Sequence, residues 1–99
     1  MFGDMMGKLQ QMKQEMDNIK QRLDTITVDG EAPGGKVKVT VTGNRKVTDI
    51  QVAEELLQED KEQLEDFLVM AVNSALAKAD QVNEAEMQGA AKGMMPGLM

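Results

Sequence analysis

Met5, Leu9, Met12, Met16, Ile19, Leu23 and Ile26 follow one another at intervals of 4, 3, 4, 3, 4 and 3 residues. That is an a/d repeat sustained over about three heptads, with Lys, Gln, Glu, Asp and Asn filling most positions between. A strand cannot satisfy it, because its side chains alternate with period two. The spacing predicts a helix from Met5 to Thr25, roughly 30 Å long at 1.5 Å per residue. The stripe is narrow, which suits a helix–helix seam, as in a coiled coil, better than a broad globular core.

The period then changes. Val37, Val39 and Val41 alternate with Lys36, Lys38, Thr40 and Thr42, a half-buried strand with a polar outer face. Gly43-Asn44 follows, a pair suited to the positive φ of a tight hairpin turn. Thr48, Ile50 and Val52, alternating with Val47, Asp49 and Gln51, give the partner strand. Ile26 and Val28 mark a shorter strand within Thr25 to Ala32, set off by Pro33-Gly34-Gly35. The three strands read as an antiparallel meander. Glu54 to Gln58 forms a short turn. Asp60, with Gln63 three residues on, looks like a capping box opening a second long helix. Its apolar residues, from Leu64 and Phe67 to Ala79 and Val82, make the wider stripe of a helix lying on a sheet, ending near Gln88.

The fold class is therefore α+β: a long N-terminal helix, a three-stranded antiparallel sheet and a long C-terminal helix. Residues 1–88 form the single domain, and the Gly/Met/Pro-rich residues 89–99 are expected to be a flexible tail. One valine-rich sheet face and one helix make a thin core. A heptad seam left in water would expose several side chains, each worth roughly 1.5–3 kcal/mol on full burial. Packing with the C-terminal helix of the same chain could hide part of the seam Met5, Leu9, Met12, Met16, Ile19, Leu23 and Ile26; self-association is the simplest way to hide the rest, and two-fold dimers are the commonest form.

The residue types absent narrow the function. The 99 residues include no His, Cys, Trp or Tyr, and only Phe2 and Phe67 are aromatic. The usual nucleophiles, zinc ligands and neutral-pH proton shuttles are missing. The carboxylates lie in solvated-looking runs such as Glu54-Glu55 and Glu59-Asp60-Lys61-Glu62, unsuited to the burial that acid–base chemistry needs. The chain reads as a non-enzyme with no cofactor, no metal site and no small-molecule substrate. The ten methionines invite a Cu(I) site, at Met12 with Met16 or at Met94-Met95 with Met99. Met5, Met12 and Met16 fall on the seam, however, where methionine serves as adaptable packing. No stretch approaches the roughly 20 apolar residues of a membrane span. The first helix mixes charge signs on its polar face, against a membrane-surface role. The start of the chain lacks a basic, apolar leader pattern, so export is not expected. The absence of cysteine suits a reducing compartment.

Charge is unevenly distributed. Residues 1–50 hold eight Lys/Arg against seven Asp/Glu, and residues 51–99 hold three against ten, for a net charge of −6 overall. An acidic chain is a poor general binder of polyanions, so any contact with nucleic acid must come from the first half. Two groups are candidates there. Lys8, Lys13, Lys20 and Arg22 lie on the first helix, mostly off its seam; they are phosphate-contacting groups or a solvated face laced with Glu15, Asp17 and Asp24. Lys36 and Lys38, with Arg45 and Lys46 returning beside them after the turn, form the densest positive patch. They too have a blander reading, a polar outer face guarding the sheet against edge pairing. Without aromatic residues beside either group, stacking on single-stranded bases is disfavoured, and contacts would be with phosphates.

The order of these elements resembles the YbaB/EbfC family of nucleoid-associated proteins. The likeness rests on the Met-rich heptad helix, Gly35-Lys36-Val37-Lys38-Val39-Thr40-Val41-Thr42-Gly43 and Val47-Thr48-Asp49-Ile50-Gln51-Val52. It continues through Leu56-Leu57, the acidic stretch Asp60 to Asp66, Ala71-Val72-Asn73-Ser74-Ala75 and the Gly/Met/Pro-rich end, covering residues 5–99. The resemblance implies a homodimer whose helices project like tweezers, and binding of double-stranded DNA in the bacterial cytoplasm and nucleoid with little sequence preference. A dimeric module that grips a protein partner, without DNA affinity, is the alternative.

Overall fold

The computed structural model describes the backbone of residues 2–94 and the side chains of residues 5–89. Helix α1 runs Phe2–Thr25, followed by strands β1 (Thr27–Glu31), β2 (Val37–Thr42) and β3 (Val47–Val52). A short helix α2 (Glu54–Leu57) then leads to the long helix α3 (Lys61–Met94). The strands pair in the order β1-β2-β3, both pairs antiparallel. The expected meander between two long helices is what the structure contains. Its principal extents are 67 × 24 × 18 Å.

The core lies between the sheet and α3. Val37, Val39 and Val41 project from the inner face of β2 and are fully buried, together with Leu56, Ala71, Ala75 and Ala79. Ala71, Ala75 and Ala79 succeed one another at four-residue spacing, so α3 turns a smooth stripe toward the strands. Gly30 of β1 completes the fit: a Cβ there would overlap the backbone of Ala71 and Ala75. Helix and strand meet backbone to backbone.

Helix α3 lies over β1 and β2 and leaves β3 largely uncovered. The inner face of β3 is not the one that plain alternation predicts. Thr40 pairs with Asp49 but Val41 pairs with Val47, so Thr48 is an extra residue in a β-bulge. The bulge turns Val47 to the same side as Ile50 and Val52. Val47 and Ile50 remain about half exposed there. Leu57 and Val69 are exposed as well, and Leu68, Val69 and Val72 line an apolar groove on α3.

The heptad seam divides in two. Ile19 and Leu23 are 3% and 0% exposed, whereas Leu9 and Met12 are 63% and 46% exposed. The inner end of the seam is used within the chain, where α1 passes beside α3. Met5 and Met16 stay exposed with Leu9 and Met12, and Ile26 is half-buried at the helix exit.

Helix α3 also continues six residues beyond the expected end at Gln88, through Met94. The run Ala90-Ala91-Lys92 is strongly helix-forming, and Gly89 costs only about 1 kcal/mol in a helix interior. Residues 95–99 of the expected tail lie outside the described residues.

Candidate nucleic-acid interface

The tip of the β2–β3 hairpin is where distant parts of the chain converge. The Gly43 amide donates to the carbonyls of Leu23 (3.0 Å) and Ile26 (2.9 Å), pinning the turn to the end of α1. A side chain at Gly43 would press within 2.7 Å of a Leu23 methyl, so glycine is needed here for close approach. The positive φ expected of Gly43-Asn44 falls instead on Arg45, at 67°. Three residues separate the paired Thr42 and Lys46, and in such loops the last of the three takes the left-handed conformation.

Asn44 ties the turn to α1 a second time: its side-chain amide donates to the Lys20 carbonyl (2.8 Å) and to Asp24 Oδ1 (2.6 Å). Asn83 of α3 donates to the Gly43 carbonyl at 3.1 Å. Around this junction lies an open concavity of about 480 Å³, lined by Lys20, Asp24, Asn44, Arg45, Lys46, Asn83 and Met87. Lys20 and the pair Arg45-Lys46, which fall in separate groups along the sequence, thus share one surface.

The remaining candidates are dispersed. Lys46 sits opposite Thr42, while Lys38 pairs with Gln51, so Arg45 and Lys46 do not return beside Lys36 and Lys38. The single sheet patch expected from the sequence is two separate places. Lys36 reaches Glu59 at 3.6 Å, and Lys38 reaches Asp29 at 3.4 Å. Asp29 also accepts the Thr40 hydroxyl at 2.7 Å, and its backbone carbonyl accepts from Lys78 at 2.8 Å. The Thr40 hydrogen bond first, and then the Lys38 and Lys78 charges, hold the Asp29 carboxyl below its ordinary value despite some desolvation.

The cations of α1 divide as well. At 100° per residue Lys13 and Lys20 flank one side of the seam, and Lys8 and Arg22 flank the other. Arg22 turns to α3, its guanidinium 2.6 Å from Glu86. That pair borders a cleft of about 410 Å³ lined by Glu15, Asn18, Ile19, Arg22, Ala85, Glu86 and Gly89. Arg45 is paired with Asp80. Lys8, Lys13, Lys20 and Lys46 have no ion-pair partner among the described residues.

Sequence reasoning finds the cations but not their carboxylates. Arg22 and Glu86 are 64 positions apart, and Arg45 and Asp80 are 35 apart. Nothing local marks either pair. The hydrogen bonds by which Asn44 and Asn83 hold the junction together are equally silent in the sequence. Among the described residues, no group of three or more Asp or Glu is arranged to hold a metal ion. No helix among them is long and apolar enough to cross a membrane.

Fold and site together define a small α+β protein with a long helical arm and a cationic junction at its base. The sequence model of the YbaB/EbfC DNA-binding family matches residues 1–94, and the chain belongs to that family. A nucleoid-associated protein of Flavobacterium johnsoniae is 47% identical over 94 residues, covering 95% of this chain and 88% of the relative. One from Chlorobium phaeobacteroides is 44% identical, with 97% and 86% covered. The crystal structure of an uncharacterized protein, HP0035 from Helicobacter pylori, superposes with a TM-score of 0.75 at 25% identity, over 96% of this chain and 97% of that one.

Proposed function

We propose that this protein binds double-stranded DNA as a homodimer, in the cytoplasm and at the nucleoid, by neutralising phosphates and not by reading bases. The observation that carries the proposal is the junction. Lys20 from α1 and Arg45-Lys46 from the hairpin line one open concavity, in a chain whose net charge is −6. Lys13 extends the same side of α1 outward. All of these groups suit phosphate oxygens, and the two amides beside them, Asn44 and Asn83, spend their donors on Lys20, Asp24 and Gly43 rather than presenting them to base edges.

A dimer is supported by the apolar side chains left uncovered on one protomer: Val47 and Ile50 on β3, Leu57 on α2 and Val69 on α3. Two copies would also double the phosphate contacts. If a dimer engages four to eight phosphates, log affinity should fall against log salt with a slope on the order of −4 to −7. Gel-shift titrations at two salt concentrations test this, with unrelated duplexes expected to bind alike. Absence of duplex binding at low salt would defeat the reading.

A second reading rests on one specific observation, the exposed outer seam of Met5, Leu9, Met12 and Met16. Those side chains suit an amphipathic helix of another protein, and the chain would then be an interaction module. The same titration separates the two.

A further inference from the structure

We infer that Asp80 and Glu86 are built-in competitors for DNA, each occupying an arginine that a phosphate would otherwise take. The inference rests on the DNA-binding reading and concerns how strongly that site binds. Asp80 holds Arg45 of the hairpin, and Glu86 holds Arg22 of α1. The two acids stand six residues apart on α3, yet they engage cations from different elements, on either side of the inner seam. A guanidinium presents the same fork of N–H donors to a carboxylate and to a phosphate, so one anion can replace the other without refolding.

Two features argue that these pairs are more than fastenings. First, they are exposed. Arg45 and Asp80 side chains are 50% and 54% accessible, and ion pairs in that setting add little stability. Second, Arg45 sits at φ 67°, a left-handed position that glycine fills without steric cost. A non-glycine residue in that conformation points to use of its side chain, and here that side chain lines the cationic concavity. Hydrogen bonds already fasten the hairpin to α1 and α3, through Gly43, Asn44 and Asn83. The Arg45–Asp80 pair is therefore dispensable for holding the turn.

DNA binding on this scheme is an exchange. Phosphate displaces Asp80 from Arg45, and with more difficulty Glu86 from Arg22, because the Glu86 side chain is only 27% exposed. The acids lower affinity and keep the protein readily released from DNA.

The test is fluorescence anisotropy of a labelled duplex titrated with the full chain across a range of salt concentrations. Variants are Asp80→Asn, Glu86→Gln and both together. The control is Glu62→Gln with Asp66→Asn, which removes the same charge near the start of α3 from two exposed acids that hold no cation among the described residues. The double variant should bind roughly tenfold more tightly, at two- to fivefold per released pair. Its salt slope should match that of the unaltered chain, because the same arginines meet phosphate in both complexes. The control should shift affinity less and leave the slope unchanged. Adding Arg45→Ala to Asp80→Asn should erase the gain. Equal tightening in the control, or a gain that survives Arg45→Ala, would overturn the inference. Should Glu86→Gln impair folding, Asp80→Asn at its exposed site carries the test alone. Failure of the unaltered chain to bind at low salt defeats the DNA reading itself, whereas binding without a variant effect defeats only the competition.

Discussion

The two ends of α1 carry one sequence pattern and have different environments. At the inner end, Ile19 and Leu23 are sealed by α3 and by the hairpin tip at Gly43. At the outer end, Leu9 and Met12 keep the same a/d spacing and lie open. A heptad repeat specifies which face of a helix is apolar and says nothing about what covers it. Cover comes from geometry that the repeat does not encode, namely the position of the turn and the path of the neighbouring helix.

The strongest way to break that comparison is a charge at each end. Leu23→Asp buries an unpaired carboxylate and should cost about 3–5 kcal/mol or prevent folding, read by urea unfolding. Leu9→Asp should change stability by no more than about 0.5 kcal/mol, as for an ordinary surface site. A loss at Leu9 approaching that at Leu23 would mean that a second chain buries the outer seam. Next in size is the hairpin tip. Gly43→Ala forces a methyl against Leu23 and should cost about 1–3 kcal/mol, with Gly30→Ala in the same range because α3 must lift from β1.

Much of the architecture is legible in the sequence. Period 3.5, then period two, then period 3.6 mark the elements in order, because each pattern reflects one buried face. What is not legible depends on contacts between distant residues. The bulge at Thr48 is invisible because Val47 and Thr48 fit a strand equally well, so plain alternation puts Thr48 on the inner face of β3 where Val47 belongs. The expected patch of Lys36, Lys38, Arg45 and Lys46 fails for a related reason: a six-residue strand puts its two ends far apart, and proximity in sequence does not survive it. The cations themselves can be found by reading the chain. Which of them carry carboxylates can be seen only after folding.

The cations supply the next comparison. Replacing Lys13, Lys20 and Lys46 with Ala should weaken binding to all duplexes alike and flatten the salt slope by about 0.9 for each phosphate no longer neutralised. Lys36→Ala with Lys38→Ala should change affinity little, since those groups lie at the other end of β2 from the concavity. Equal effects from both sets, in anisotropy titrations, would show that the sheet shares in the interface.

The smallest effect concerns acid. Asp29 has a folded-state carboxyl below its ordinary value of 3.8. Its contribution to stability is therefore complete above that value and is lost as pH falls through the lower folded one. Asp29→Asn should lower stability a little at neutral pH, match the unaltered chain in acid where Asp29 is protonated, and so flatten the acid side of the stability profile. An unaltered acid limb would assign that sensitivity to other carboxylates.

The length of the molecule has a practical consequence. A body 67 Å long and at most 24 Å across drags more solvent than a sphere of the same mass. It diffuses slowly, tumbles anisotropically and leaves a sizing column early, at the volume of a heavier globular standard. A single 10.9 kDa chain will therefore imitate a pair on such a column. Light scattering and sedimentation equilibrium report mass independently of shape, and they are the measurements on which the number of chains should be decided.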